Sequence, residues 1–119
     1  MKNKCILISY KNPSLISEIK ELVKASDYII KEIYLRKHLS RSKFGIGSGK
    51  AQEIADYLKG NPVDAIIIDE KLSVSQIYNL TKITRTKVVD REKLILEIFA
   101  KRALTTEAKL QVKLAELKY

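Results

Sequence analysis

Short apolar runs alternate with helical apolar stripes along this chain. Residues 4–9, Lys-Cys-Ile-Leu-Ile-Ser, have the continuous hydrophobicity of a short buried strand. Asn12-Pro13 then marks a helix start, an N-cap followed by a proline at the first helical position. Leu15, Ile16, Ile19, Leu22 and Val23 follow at the spacing of one buried helix face. Tyr28 to Arg36, rich in Ile and Tyr with polar residues interleaved, predicts a second strand with one wetter side. Lys37 to Ser48 has no clean period and reads as a loop. Beyond it Ser48 is the expected cap of a helix with Ala51, Ile54, Ala55 and Leu58 on one face, ending at Gly60 before Asn61-Pro62. Ala65 to Ile68 is apolar throughout, as in a central strand covered on both sides. Ser73 and Gln76 form a capping box, with Leu72 and Ile77 as its hydrophobic staple. Val88-Val89 is a brief fourth strand. The βαβαβαβα order predicts an α/β fold, a small four-stranded, mostly parallel sheet flanked by helices.

The last quarter, Asp90 to Tyr119, holds no Gly or Pro and is built of good helix formers, with Asp90 as N-cap. Leu94, Ile95, Ile98 and Phe99 form one stripe, and the phase then breaks around Leu104-Thr105-Thr106, where β-branched residues weaken a helix and Thr105 is a candidate cap. Two helices, or one with a kink, are expected. On the second, Leu110, Leu114 and Leu117 lie on one side with Ala108, Val112, Ala115 and Tyr119 on the other. A finished surface helix shows one apolar stripe, not two. The pattern predicts an α/β subdomain over 1–90 and a protruding, coiled-coil-like helical stalk over 91–119, the front part of a larger protein.

Composition narrows the function classes. Apolar residues make up 45%, and the longest apolar run, Ala65–Ile68, is too short to cross a bilayer. The N-terminus has no small-residue cleavage site, and the single Cys5 forms no internal disulfide. A cytoplasmic protein with no membrane partner is expected, with Cys5 a small core residue. The net charge of +9 is unevenly spread: residues 1–30 carry +2, 31–50 carry +5, 51–80 carry −3 and 81–119 carry +5. In the last zone Lys and Glu alternate, as on a solvated helix face. The 31–50 zone puts its charge on a strand end and a loop, which points to a polyanion, nucleic acid before membrane.

Chemistry of the chain's own centres on Phe44-Gly45-Ile46-Gly47-Ser48-Gly49-Lys50-Ala51. A P-loop requires Gly where Phe44 stands and Ser or Thr where Ala51 stands, so this segment is not one. Glycines before a helix still leave amides open to an anion, which nominates Gly45, Gly47, Ser48, Gly49 and Lys50 as an anion or nucleotide site. The rival reading is that the glycines only shape a tight turn. Arg36, Lys37, Arg41, Lys43 and Lys50 are the candidate phosphate contacts for nucleic acid. Phe44 is a candidate for stacking on a base, or simply packs. His38 has no cysteine near it for metal or nucleophile work and reads as a surface loop residue. Asp64, Asp69 and Glu70 flank the central strand, but the first strand ends in Ser9-Tyr10-Lys11 without an acid, so Asp69 reads as a loop or helix-capping acid rather than a magnesium ligand.

Val89-Asp90-Arg91, Leu94-Ile95-Leu96, Ile98-Phe99-Ala100, Arg102-Ala103, Thr105, Glu107, Lys109-Leu110-Gln111-Val112, Leu114-Ala115, Leu117 and Tyr119 resemble, in order and without gaps, the N-terminal domain of the HflX family of ribosome-associated GTPases. Gly47-Ser48-Gly49-Lys50 with Glu53-Ile54, and Leu72-Ser73, Gln76 and Asn79-Leu80, resemble the same family upstream. The resemblance implies a small α/β subdomain, an antiparallel helical pair and a following GTP-binding domain that this chain lacks. It also implies GTP and magnesium for the full-length protein and none in this piece, and partnership with the large ribosomal subunit and its RNA, members being linked to ribosome splitting. The expected role is that of a monomeric binding module that contacts ribosomal RNA and orients a GTPase domain. Two rivals remain: an autonomous ATP-binding or ATP-hydrolysing domain that uses the glycine loop, and a non-catalytic module that dimerises through its stalk.

Overall fold

The computed structural model describes residues 3–36, 46–102 and 106–119. Four strands, β1 (Asn3–Tyr10), β2 (Tyr28–Arg36), β3 (Ala65–Ile68) and β4 (Lys87–Asp90), pair in parallel in the order β2-β1-β3-β4. Parallel neighbours need a crossover of helical length, and α1 (Pro13–Ala25), α2 (Ser48–Gly60) and α3 (Val74–Thr84) supply it. The register Ile6↔Ile66↔Val88 and Leu7↔Ile67↔Val89 sets side chains of three strands level. Alternation then sends them to opposite faces. Ile6, Ile8, Ile66, Ile68 and Val88 pack with Ile54, Leu58 and Leu80 of α2 and α3. Cys5, Leu7, Ala65, Ile67 and Val89 pack with Ile19 and Val23 of α1 and with Leu94 and Ile98 of α4 (Arg91–Arg102). Both faces of β1 and β3 are thus buried, which is why these strands are unbroken apolar runs.

Local signals place the ends. Asn12 caps α1 through Oδ1, which accepts from the amides of Ser14 at 3.0 Å and Leu15 at 3.3 Å. At α3 the Gln76 amide donates to Ser73 Oγ at 3.1 Å and the Ser73 amide donates to Gln76 Oε1 at 3.0 Å, closing the box. Asp90 Oδ1 accepts from the Lys93 amide at 2.9 Å, the expected cap of α4. One expectation fails. Ser48 is the first residue of α2, and the cap is Gly47, with no side-chain bond at all. Arg85 closes α3 in the left-handed region, φ 53 and ψ 34, where glycine is cheapest and another residue costs about 1 kcal/mol.

The C-terminal segment is two helices, α4 and α5 (Thr106–Lys118), and the candidate cap Thr105 lies outside the described residues. Among the described elements α5 packs against α4, with its C-terminal end facing the start of α3 across a cleft. Its Val112, Ala115 and Tyr119 are half-buried, whereas Leu110, Leu114 and Leu117 are exposed. The two stripes separate as one covered face and one open face.

Candidate functional site

In a doubly wound sheet the ligand crevice lies outside the carboxyl ends of the strands, where the chain turns to either side of a central strand. Here that point lies between β1 and β3, and it is filled by side chains that bond one another. Ser9 Oγ donates to Asp69 Oδ2 at 3.1 Å, and Arg91 Nη1 donates to Asp69 Oδ1 at 2.9 Å. Arg91 Nη2 also pairs with Glu18 of α1, and the Tyr10 hydroxyl donates to Glu70. Asp90 Oδ2 accepts from the Leu72 amide at 3.0 Å. The Asp69 side chain is only 1% exposed, and burial holds its carboxyl above the ordinary range, with Arg91 and the Ser9 hydroxyl pulling the other way. Burial, then the hydrogen bond and charge of Glu70 and the charge of Asp69, push the Tyr10 phenol up to about 12. Asp69 therefore caps no helix; it is the buried anchor of an ion pair. Among the described residues no group of three or more His, Cys, Asp or Glu side chains is placed to hold a metal ion. Asp64 lies at the other end of β3, where its Oδ2 accepts from the Lys4 amide at 2.7 Å.

The basic zone converges one strand over. Arg36 ends β2, Gly47 and Ser48 open α2, and Lys50 lies in its first turn. The strand period puts Tyr34 on the same face as Arg36. The Lys50 ammonium sits 5.5 Å from the centre of the Tyr34 ring and 2.9 Å from Glu53 Oε2. Tyr34 meets Tyr57 edge to face, ring centres 6.5 Å apart at 81°. Burial, then the charges of Glu32 and Glu53, raise the Tyr34 phenol. Arg36 reaches across the helix start: a methyl group on Gly47 would lie 4.0 Å from its Nη2. Among the described residues Arg36 Nε is buried without a hydrogen-bond partner.

Neither Gly47 nor Gly49 needs a left-handed backbone, and an added Cβ would clash at neither. A tight turn therefore does not require glycine at either of these two positions. What their bareness does is leave the first amides of α2 unshielded, beside a guanidinium and an ammonium. Ala51, where a P-loop hydroxyl would stand, is buried in the core, so the corner does not fit a magnesium-nucleotide cradle. Of the residues singled out, Arg36, Gly47, Ser48, Gly49 and Lys50 come together here. Lys37, Arg41, Lys43 and Gly45, together with His38 and Phe44, lie outside the described residues. Tyr34 is absent from the sequence expectations; its only signal is the two-residue spacing to Arg36. An open cleft of about 460 Å³ lies elsewhere, between the start of α3 and the end of α5, lined by Leu72, Val74, Ile77 and Tyr119.

Comparison with known proteins matches residues 14–100 to the family described as GTP-binding GTPase N-terminal. The GTPase HflX of Thermococcus kodakarensis is 40% identical over 103 residues, which cover 87% of this chain and 23% of that protein. That of Methanocaldococcus jannaschii is 42% identical over 105 residues, 87% of this chain and 26% of the relative. The chain thus spans about a quarter of the length of these relatives. Among solved structures, SsGBP in complex with GDP superposes with a TM-score of 0.85 at 33% identity, covering 100% of this chain and 35% of that one. A GTP-binding protein of Sulfolobus solfataricus in complex with GDP gives 0.80 at 33% identity, covering 100% of this chain and 37% of that one. With the α/β architecture and most of its length matched, the chain belongs to the GTP-binding GTPase N-terminal family, as an N-terminal domain of the HflX type.

Proposed function

We propose that this domain is the docking and positioning part of a GTPase, meeting RNA of the large ribosomal subunit through the corner formed by β2 and α2. Nucleotide chemistry, with GTP and magnesium, then belongs to a GTP-binding domain in the longer protein, which the α4–α5 segment orients. The observation that carries the reading is the convergence of Arg36, Lys50 and the uncapped first turn at Gly47 on one corner of a basic domain. Three kinds of phosphate donor meet there: a planar guanidinium, an ammonium shared with Glu53, and backbone amides. Arg36, Lys37, Arg41, Lys43 and Lys50 are the proposed contacts, and the amides of Gly45, Gly47, Ser48 and Gly49 the proposed anion cradle.

Co-sedimentation of the chain with purified large ribosomal subunits tests this. Binding is expected to fall with a log–log salt slope of roughly −4 to −5 if five or six phosphates are met. Arg36→Ala with Lys50→Ala is expected to abolish pelleting; pelleting unchanged by both would sink the assignment. Titration of labelled ATP and GTP in parallel separates the rival reading, since micromolar binding lost on Lys50→Ala would make the corner a nucleotide site in its own right.

A further inference from the structure

The outer face of α3 carries a pattern that neither the core nor the β2–α2 corner uses. Val74, Tyr78, Lys82 and Arg85 follow at i, i+4, i+8 and i+11, one stripe of the helix, opposite the buried Leu80. Val74 is 77% and Tyr78 63% exposed, two large side chains in water one turn apart. Lys71 extends the stripe past the Ser73 cap and pairs with Glu92 at 3.3 Å. Lys82 and Arg85 are exposed, and no acidic residue occurs between Val74 and Thr84. The Lys82 ammonium stands over one face of the Tyr78 ring, 5.9 Å from its centre, and the other face is the one proposed for a base. Arg85 keeps a cation at the far end of the stripe in a backbone conformation that favours glycine.

A solvated helix face mixes acids with bases, and a protein-docking face is depleted in lysine. An exposed ring beside cations, on a helix that carries no acid of its own, has the complementarity of single-stranded nucleic acid, which stacks its bases on aromatics and lays its phosphates on Lys and Arg; Glu92, the acid at the near end, is paired with Lys71. We propose that Lys71, Val74, Tyr78, Lys82 and Arg85 form a second RNA contact, an unpaired base stacking on Tyr78 while flanking phosphates meet Lys82 and Arg85. The inference rests on the reading of the chain as an RNA-binding module, but on side chains separate from the β2–α2 corner. Lys71 lies at the same end of the sheet as Lys50, because every strand runs the same way.

Fluorescence anisotropy with labelled oligouridine and with an RNA duplex decides the matter. Tyr78→Ala is expected to weaken oligouridine binding about 5- to 100-fold and to leave duplex binding unchanged. Tyr78→Phe is expected to bind as the parent does, since the ring is kept. Lys82→Ala with Arg85→Gly is expected to reduce the salt slope on single strands by about 1.4. Oligouridine binding indifferent to Tyr78→Ala, or an equal loss on duplex, overturns the proposal. Loss on Arg36→Ala with Lys50→Ala but not on Tyr78→Ala would leave the corner standing and remove this stripe; the reverse result would do the opposite. A parent protein that binds neither RNA removes both.

Discussion

Replacing Arg91 by methionine deprives the buried Asp69 carboxylate of the guanidinium bonded to it at 2.9 Å. Removing one partner of a fully buried pair costs about 3–5 kcal/mol, whereas exposed pairs contribute at most about 1 kcal/mol. Here the carboxylate is 1% exposed and the guanidinium 35%, so the expected cost lies between these limits, at about 2 kcal/mol. The freed Glu18, at 52% exposure, adds little. The pH dependence carries a sign. Burial already holds the Asp69 carboxyl above its ordinary value, and Arg91 is the strongest influence pulling it down. A carboxyl raised in the folded state contributes stability while protonated and loses it as pH rises through the folded value. Without Arg91 that value climbs further. The gap between parent and Arg91→Met is therefore widest above the raised Asp69 value of the variant and narrows as pH falls through it, as Asp69 takes up a proton. Urea unfolding followed by far-UV circular dichroism across a pH series measures it. A gap below about 0.5 kcal/mol at neutral pH, or one that widens on acidification, refutes the account. Asp69→Asn in the Arg91→Met background is expected to flatten the dependence.

Ser73→Ala breaks the capping box at α3 and is expected to cost about 1 kcal/mol in urea unfolding, with no change in slope. Leu94→Ala empties a fully buried position of α4 under the sheet and is expected to cost about 3 kcal/mol; a loss below about 1 kcal/mol would mean that α4 is not part of the core. Burial pushes the Cys5 thiol up to about 12, so a thiol reagent at neutral pH is expected to label it only as the protein unfolds. Rapid stoichiometric labelling of the folded protein would contradict that placement.

What could be read before folding was whatever local physics decides. Ala65–Ile68 declares a central strand because both its faces need apolar cover, and Asn12-Pro13 and Ser73–Gln76 mark helix starts because their caps are contiguous. The cap of α2 falls one residue earlier than expected because a serine is the usual choice there, and nothing local reveals that a glycine, with no side chain to bond, takes the position. The role of Asp69 was hidden for a different reason. Its partners Ser9 and Arg91 lie 60 and 22 residues away in sequence, and only the β1-β3-β4 order brings them together. The two stripes of α5 are nearly equal in hydrophobicity, so the pattern showed that one would be left over without saying which. The β2–α2 corner was legible as a cluster of charge and a run of glycines before a helix; the ring of Tyr34 beneath Lys50 needed the strand and helix to be set side by side.

Helix α4 is fastened along the length of the strands, from their carboxyl ends to their amino ends. At its start Arg91 holds Asp69 and Glu18; further along, Glu97 meets Lys87 at 3.1 Å and the Tyr28 hydroxyl at 3.5 Å, and Lys101 pairs with Asp27 beyond. With Leu94 and Ile98 buried beneath these pairs, α4 shares the core of the sheet it lies on. A displacement of this bar is expected to carry the strands with it, as far as the basic corner at the sheet's other margin.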